Sequence, residues 1–169
     1  MSTKQTISEW FYQYSNEIYD YLVYYMGSTD VEDMVQEVFI KAMRSLHTFK
    51  GESSPKTWLM KIARNVALDE YRRKKAKGWS KTISLSKRFE ANDPNTPEKI
   101  YENNETRQDL YKAIQDLHDN YREVLLLRGI KEIDTKETAA ILNWKEEKVR
   151  TTYHRALKAL RNTQGGYEL

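Results

Sequence analysis

Three groups of side chains in this 169-residue chain have types and spacings that could do chemistry. The first is acidic. Asp30, Asp33 and Glu37 recur at three- and four-residue steps, so a helix would put them on one face together with Lys41 and Arg44. Carboxylates gathered in this way could hold a divalent cation or exchange a proton, but no His ligand and no phosphate cradle stands beside them in the sequence. Gln36 and Ile40 fall at the edge of the charged face, leaving an apolar side chain among carboxylates. Such a mixture can dock a basic partner; the plain alternative is a solvated face laced by pairs such as Glu37 with Lys41.

The second group is cationic. Lys61, Arg64, Asn65 and Arg72, with Tyr71 beside them, share one side of a helical stretch that runs on into Arg72, Arg73, Lys74, Lys75 and Lys77. Clustered cations bind phosphates with an affinity that falls as salt rises. Rings and amides interleaved with them can also stack on and read exposed bases. The third group lies near the C-terminus. Glu147, Lys148, Arg150, Thr151, His154, Arg155 and Lys158 face outward from a second helical stretch. There Arg and Lys could reach guanine edges or phosphates in a major groove. No catalytic constellation, metal-ligand set or cofactor motif is assigned, and His154 reads as a surface side chain or phosphate contact.

The elements that must position these groups are helices throughout. Gly (6) and Pro (3) are scarce and alternating strand patterns are absent, which predicts an all-α chain. Lys plus Arg number 28 against 25 Asp plus Glu, so the net charge of +3 says little until the segregation along the chain is seen. With no Cys there is no disulfide framework or thiolate site, in keeping with a reducing cytoplasm. The start, MSTKQTISEW, lacks the apolar core of an export signal, and no run of about 18 apolar residues occurs, so a soluble chain is expected.

Residues 1–77 read as a bundle of about three helices, broken near Gly27 and again between Phe49 and Pro55. Its second helix, over residues 30–46, buries Val31, Val35, Val38, Phe39, Ala42 and Leu46. Its third, from Pro55, is capped by Ser53 or Ser54 and buries Trp58, Leu59, Ile62, Ala63 and Val66. Residues 78–105 lose periodicity, carry Pro94 and Pro97 and turn acidic, as a linker would. Four helical pieces return over residues 106–163, and residues 164–169 should fray. Within this part Asp134 and Glu137 offer a capping box, Asn143 can take the left-handed turn, and Val149, Tyr153, Ala156 and Leu160 face inward. This is a helix-turn-helix pattern.

Three strings in this order resemble the extracytoplasmic-function sigma factors of the sigma-70 family. One covers residues 30–41, with Asp33, Gln36, Glu37, Phe39 and Lys41. Another covers residues 49–73, with Phe49, Gly51, Trp58, Ile62, Ala63, Arg64, Asn65, Asp69, Arg72 and Arg73. The last is Tyr121, Arg122, Glu123, Val124 and Leu125, followed by the helix-turn-helix through Val149, Arg150, His154, Arg155 and Ala156. The resemblance spans nearly the whole chain. It implies sigma region two, a flexible linker and sigma region four, in a transcription initiation factor that is not an enzyme and needs no cofactor or small-molecule substrate.

On that resemblance Asp33, Gln36, Glu37 and Ile40 would dock on the clamp helices of core RNA polymerase. The loop over residues 50–56, ending in Lys56, would capture a base flipped from the minus-ten element, while Lys61, Arg64, Asn65, Arg72 and Arg73 hold the melted strand. Lys148, Arg150, Thr151, His154, Arg155 and Lys158 would lie on the minus-thirty-five element of promoter DNA. An anti-sigma factor is a further candidate partner. Some positions depart from the family: Leu117-His118 replaces Leu-Pro, and Asn143, Trp144 and Lys145 replace the turn Gly, the following Ile and the Ser or Thr cap. These departures weaken capping of the recognition helix. Two other classes compete: a free-standing helix-turn-helix DNA-binding regulator, and a metal-dependent nucleic-acid enzyme using Asp30, Asp33 and Glu37.

Overall fold

The structure, a computed structural model, describes residues 2–78 and 105–163, with side chains from residue 109 onward in the second stretch. The expected linker and C-terminal tail therefore lie almost wholly outside the described residues. All regular elements among the described residues are helical.

Helix α1 (Thr3–Met26) opens with a reciprocal capping box between Ser2 and Gln5. It ends at Gly27, whose φ of 66° lets its N–H close back on the Val23 carbonyl. Helix α2 (Glu32–Ser45) has Glu32 and Asp33 in its first turn and Arg44 in its last, both favourable to the helix dipole, and runs into a short 3-10 turn, Leu46–Thr48. It starts two residues later than the periodicity predicts, with Val31 as an N-cap that makes no side-chain bond. Helix α3 (Pro55–Ala76) is capped by Ser54, which accepts from the Thr57 amide at 3.1 Å, with Pro55 in the first turn and Arg73, Lys74 and Lys75 in the last.

The second stretch begins with α4 (Glu105–Gln115) and α5 (Asp119–Val124), continued by π-helical turns at Leu125–Ile130. Helix α6 (Thr135–Leu142) is capped by Asp134, which accepts from the Glu137 amide at 2.7 Å. Only half of the expected capping box forms, because the Glu137 side chain turns away to Thr57. Asn143, at φ 59° and ψ 44°, makes the left-handed turn into α7 (Glu146–Asn162). Lys145 caps α7 without a side-chain bond, as its departure from the family pattern implied.

Helices α1, α2 and α3 pack around Ile18, Leu22, Val38, Ala42, Leu59 and Ala63, all without exposed surface. Val124, Leu125, Ile141, Val149, Ala156 and Leu160 form the matching core of the second stretch. Tyr153 is only half-buried, its ring under the Arg128 guanidinium at 5.1 Å. The two stretches lie against each other. Gln115 Nε2 donates to the Tyr24 carbonyl at 2.6 Å, satisfying one of the carbonyls that the end of α1 leaves open. The Tyr24 and Tyr111 rings stack with centroids 4.3 Å apart. Lys131 Nζ reaches Asp20 at 2.8 Å and Glu17 at 3.0 Å.

Candidate nucleic-acid and polymerase interfaces

Helix α2 turns its apolar stripe inward and leaves Asp33, Gln36 and Glu37 exposed. Glu37 pairs with Lys41 at 3.5 Å in a pair about half-exposed on both sides, which contributes little to stability and leaves both charges open to a partner. Ile40 is 43% exposed, so the apolar side chain among the carboxylates is a real surface feature. Met43, on the next turn of the same helix, is 44% exposed, and on α1 Phe11 is 43% and Tyr12 87% exposed. Phe11 packs edge-on against Phe39, the neighbour of Ile40, at 5.1 Å. Exposed apolar side chains thus stand on α1 as well as on α2. Phe11 and Tyr12 carried no periodic signal, because a short aromatic run in a long helix reads equally well as core.

The predicted cationic face of α3 divides. Lys61, Asn65, Arg72 and Arg73 are exposed, with Arg73 tied to Glu70 on the preceding turn. Burial works against the charge on Arg64, but the Glu123 carboxylate more than offsets it and holds the guanidinium above its usual range. Arg64 is half-buried and donates from Nε to Glu123 Oε2 at 2.6 Å. Tyr71 does not stand among the outward cations. It is 2% exposed, packed edge-on to Tyr25 at 6.3 Å and capped by the Arg122 guanidinium 4.2 Å from its ring. Periodicity placed Tyr71 outward because the partner that covers it lies about fifty residues away in sequence.

At the start of α3 a cleft of about 340 Å³ opens between Thr48, Phe49, Lys50, Glu52, Ser53 and Trp58. Trp58, expected in the core, is half-buried: it packs on Trp10 at 5.9 Å and on Phe49 at 5.4 Å while also walling the cleft. The size and lining suit a flat aromatic guest, with two rings as walls and Lys50 and Lys61 at the rim. Lys56, at the end of the loop, pairs with Glu17 at 3.5 Å.

On α7, Val149, Ala156 and Leu160 are buried, while Lys148, Arg150, Thr151, His154, Arg155 and Lys158 are exposed, as the outward face required. Lys148 Nζ rests 4.2 Å over the Trp144 ring, which holds that cation at the head of the helix. A cleft of about 610 Å³ gathers residues to which the sequence gave no place in an interface: His118, Asn120, Tyr121 and Lys145 join Lys148 and Arg155 along its wall. His118 Nδ1 accepts from the Asn120 amide at 3.2 Å, so it caps α5 where the family pattern has Pro. Among the described residues no three His, Cys, Asp or Glu side chains converge as metal ligands, and no helix is long and apolar enough to cross a membrane.

The acidic and apolar helix and the cationic helix beside the aromatic cleft fall within one region that matches a known family, and the C-terminal helix-turn-helix falls within a second. Residues 10–77 match the family Sigma-70 region 2, and residues 107–160 match Sigma-70, region 4. The chain is 35% identical to the ECF RNA polymerase sigma factor SigX of Bacillus subtilis over 88% of its own length and 78% of that protein. It is 31% identical to the ECF RNA polymerase sigma-E factor of Escherichia coli over 89% of its own length and 82% of that protein. It belongs to the extracytoplasmic-function sigma factors of the sigma-70 family. Among solved structures, its fold is similar to that of the sigma factor RpoE from Bartonella quintana, solved in complex with the anti-sigma factor NepR. That likeness has a TM-score of 0.71 and 22% identity over 93% of this chain and 95% of the other. CnrH, solved with the cytosolic domain of CnrY, gives a TM-score of 0.66 at 21% identity over 93% and 86%.

Proposed function

We propose that this sigma factor acts in the cytoplasm, binds core RNA polymerase, and directs it to promoters by reading two elements with two separate surfaces, without catalysing a reaction itself. Residues 1–77 form the unit that docks and melts, and residues 106–163 form the unit that reads duplex DNA. Asp33, Gln36, Glu37 and Ile40 meet the polymerase clamp helices. Lys56, Lys61, Arg64, Asn65, Arg72 and Arg73 hold the minus-ten strand. Lys148, Arg150, Thr151, His154, Arg155 and Lys158 lie on the minus-thirty-five duplex, and an anti-sigma factor is a potential inhibitor.

The single observation that carries the reading is the aromatic cleft beside the cationic face of α3. Opening a duplex costs about 1.4 kcal/mol per base-pair step in stacking, so a protein without a nucleotide-hydrolysis site must trap the unstacked base instead. Phe49 and Trp58 supply ring walls for that base, and the cations beside them neutralise the flanking phosphates. The test is co-elution of the full chain with bacterial core polymerase, followed by transcription from a pool of promoter fragments. Co-elution with new start sites supports the reading. Failure to bind core polymerase, together with specific binding to duplex DNA alone, replaces it with the free-standing regulator.

A further inference from the structure

The turn into α7 brings one aromatic ring beneath one cation, at the head of the helix assigned above to duplex DNA. Asn143 takes the left-handed conformation, and the Trp144 amide donates to the Ala139 carbonyl at 3.0 Å, so the residue that leaves the turn is tied back to α6. The Trp144 ring is half-buried and packs against the core. Lys148 is exposed, and its Nζ lies 4.2 Å over that ring. Lys145 and Arg155 share the adjoining cleft with it, so its charged neighbours there include two further cations. The ring holds the ammonium where like charges alone would push it about.

A lysine is a compact charge on a flexible four-carbon stem, and a free one contacts whichever phosphate is near. A cation over a ring face is attracted by the ring quadrupole, most strongly for Trp. Trp144 therefore confines the Lys148 ammonium before DNA arrives, while the donors that point away from the ring stay free to bond. Its place on the helix matters. Lys148 lies in the first turn of α7 (Glu146–Asn162), and in helix-turn-helix proteins the N-terminal residues of the second helix reach base edges in the major groove. There guanine offers O6 and N7 as acceptors to a lysine. A side chain already ordered loses less freedom on binding than a free one, so the held Lys148 makes a stronger contact at one base pair.

We infer that Trp144 is a positioning residue that sets sequence preference: it holds Lys148 for a guanine edge at a single base pair of the duplex read by α7. The inference rests on the minus-thirty-five reading of that helix. Trp144 itself touches no DNA in this arrangement and acts through Lys148. An aliphatic residue at this position, as in the family pattern, offers no face for a cation.

The test uses the full chain. In the free protein with labelled lysine, the ε-methylene protons of Lys148 are expected upfield of those of other lysines, shifted by the Trp144 ring current; an unshifted Lys148 overturns the positioning. Function is read with holoenzyme reconstituted from the full chain and core polymerase. The template is a promoter selected from a fragment pool by the wild type, then randomised over its minus-thirty-five element. Trp144→Leu keeps an apolar side chain and the Lys148 charge. It is expected to reduce guanine preference at one base pair by about two- to fivefold, leaving other positions and the salt slope unchanged. Trp144→Tyr, which keeps a ring, should restore most of that preference. Lys148→Met should abolish it, and adding Trp144→Leu should then change nothing further at that base pair. Equal losses at every position, no rescue by Trp144→Tyr, or additive effects in the double variant overturn the role of Trp144. Base preferences that survive intact in Lys148→Met overturn it too, while leaving the minus-thirty-five reading in place. A wild type with no base preference anywhere in that element overturns the reading itself, and this inference with it.

Discussion

At the scale of single residues, the exposed side chains of α2 and α3 carry functional consequences that hardly touch stability. Asp33 and Glu37 are exposed, and Glu37 pairs with the half-exposed Lys41, so replacing both acids with Lys leaves the helix packed through Val35, Val38 and Ala42. Charge reversal at Asp33 and Glu37 is expected to weaken binding to core polymerase by about tenfold or more, with the helical circular dichroism kept and the melting temperature lowered by only a few degrees, because Asp33 is lost from the first turn of α2. Unreduced polymerase binding would place the docking surface elsewhere. On α3, replacing Arg72, Arg73 and Lys74 with Ala is expected to weaken promoter opening and flatten its salt dependence, by up to about one unit of log–log slope for each phosphate no longer neutralised. An unchanged slope in opening assays at graded salt would remove this helix from the DNA interface.

At the scale of elements, the helix-turn-helix depends on one strong cap and one special backbone position. Asp134 caps the N-terminus of α6 by accepting from the Glu137 amide at 2.7 Å. Asp134→Ala is expected to cost about 1 kcal/mol and to raise amide exchange first in α6, measured by hydrogen exchange and thermal melting. Asn143 holds φ at 59°, a region that a β-branched residue enters only with strain. Asn143→Val should therefore disrupt the turn into α7, whereas Asn143→Gly should keep it. DNA binding by the α7 face should follow the same order, because the cations on α7 are aimed by that turn.

At the scale of the whole molecule, Lys131 and its acidic partners join the C-terminal part to α1. The hydrogen bond from Lys131 is the main reason that the Glu17 carboxyl sits below its ordinary value; burial opposes it, and the charges of Lys131 and Lys56 add to it. A carboxyl depressed in the folded state contributes stability that is fully present above its ordinary value of about 4.5 and is lost as pH falls through the depressed value. The contact between α1 and the C-terminal part should therefore weaken on acidification below about pH 4.5, and hardly change between about pH 6 and 8. Melting curves across this range check it, with Glu17→Gln expected to remove this part of the pH dependence.

The sequence by itself determined the helical class, a serine cap for α3 at Ser53 or Ser54, the cap at Asp134, the turn at Asn143, and the outward faces of α2 and α7. Each of these depends on residues within a few positions of one another, where periodicity and capping act directly. It also carried the family, since the ordered strings sit on those same local elements. What only the tertiary structure decided is how the face of α3 is used. Tyr71 and Arg64 read as outward cation-side residues, yet one is buried beneath Arg122 and the other is paired with Glu123. Phe11 and Tyr12, which the sequence did not single out, stand exposed on α1. A helical wheel reports which side of a helix faces its immediate bundle. Whether the opposite side meets water or a distant part of the chain depends on pairings between residues about sixty positions apart, as Arg64 and Glu123 are, and no local pattern encodes them.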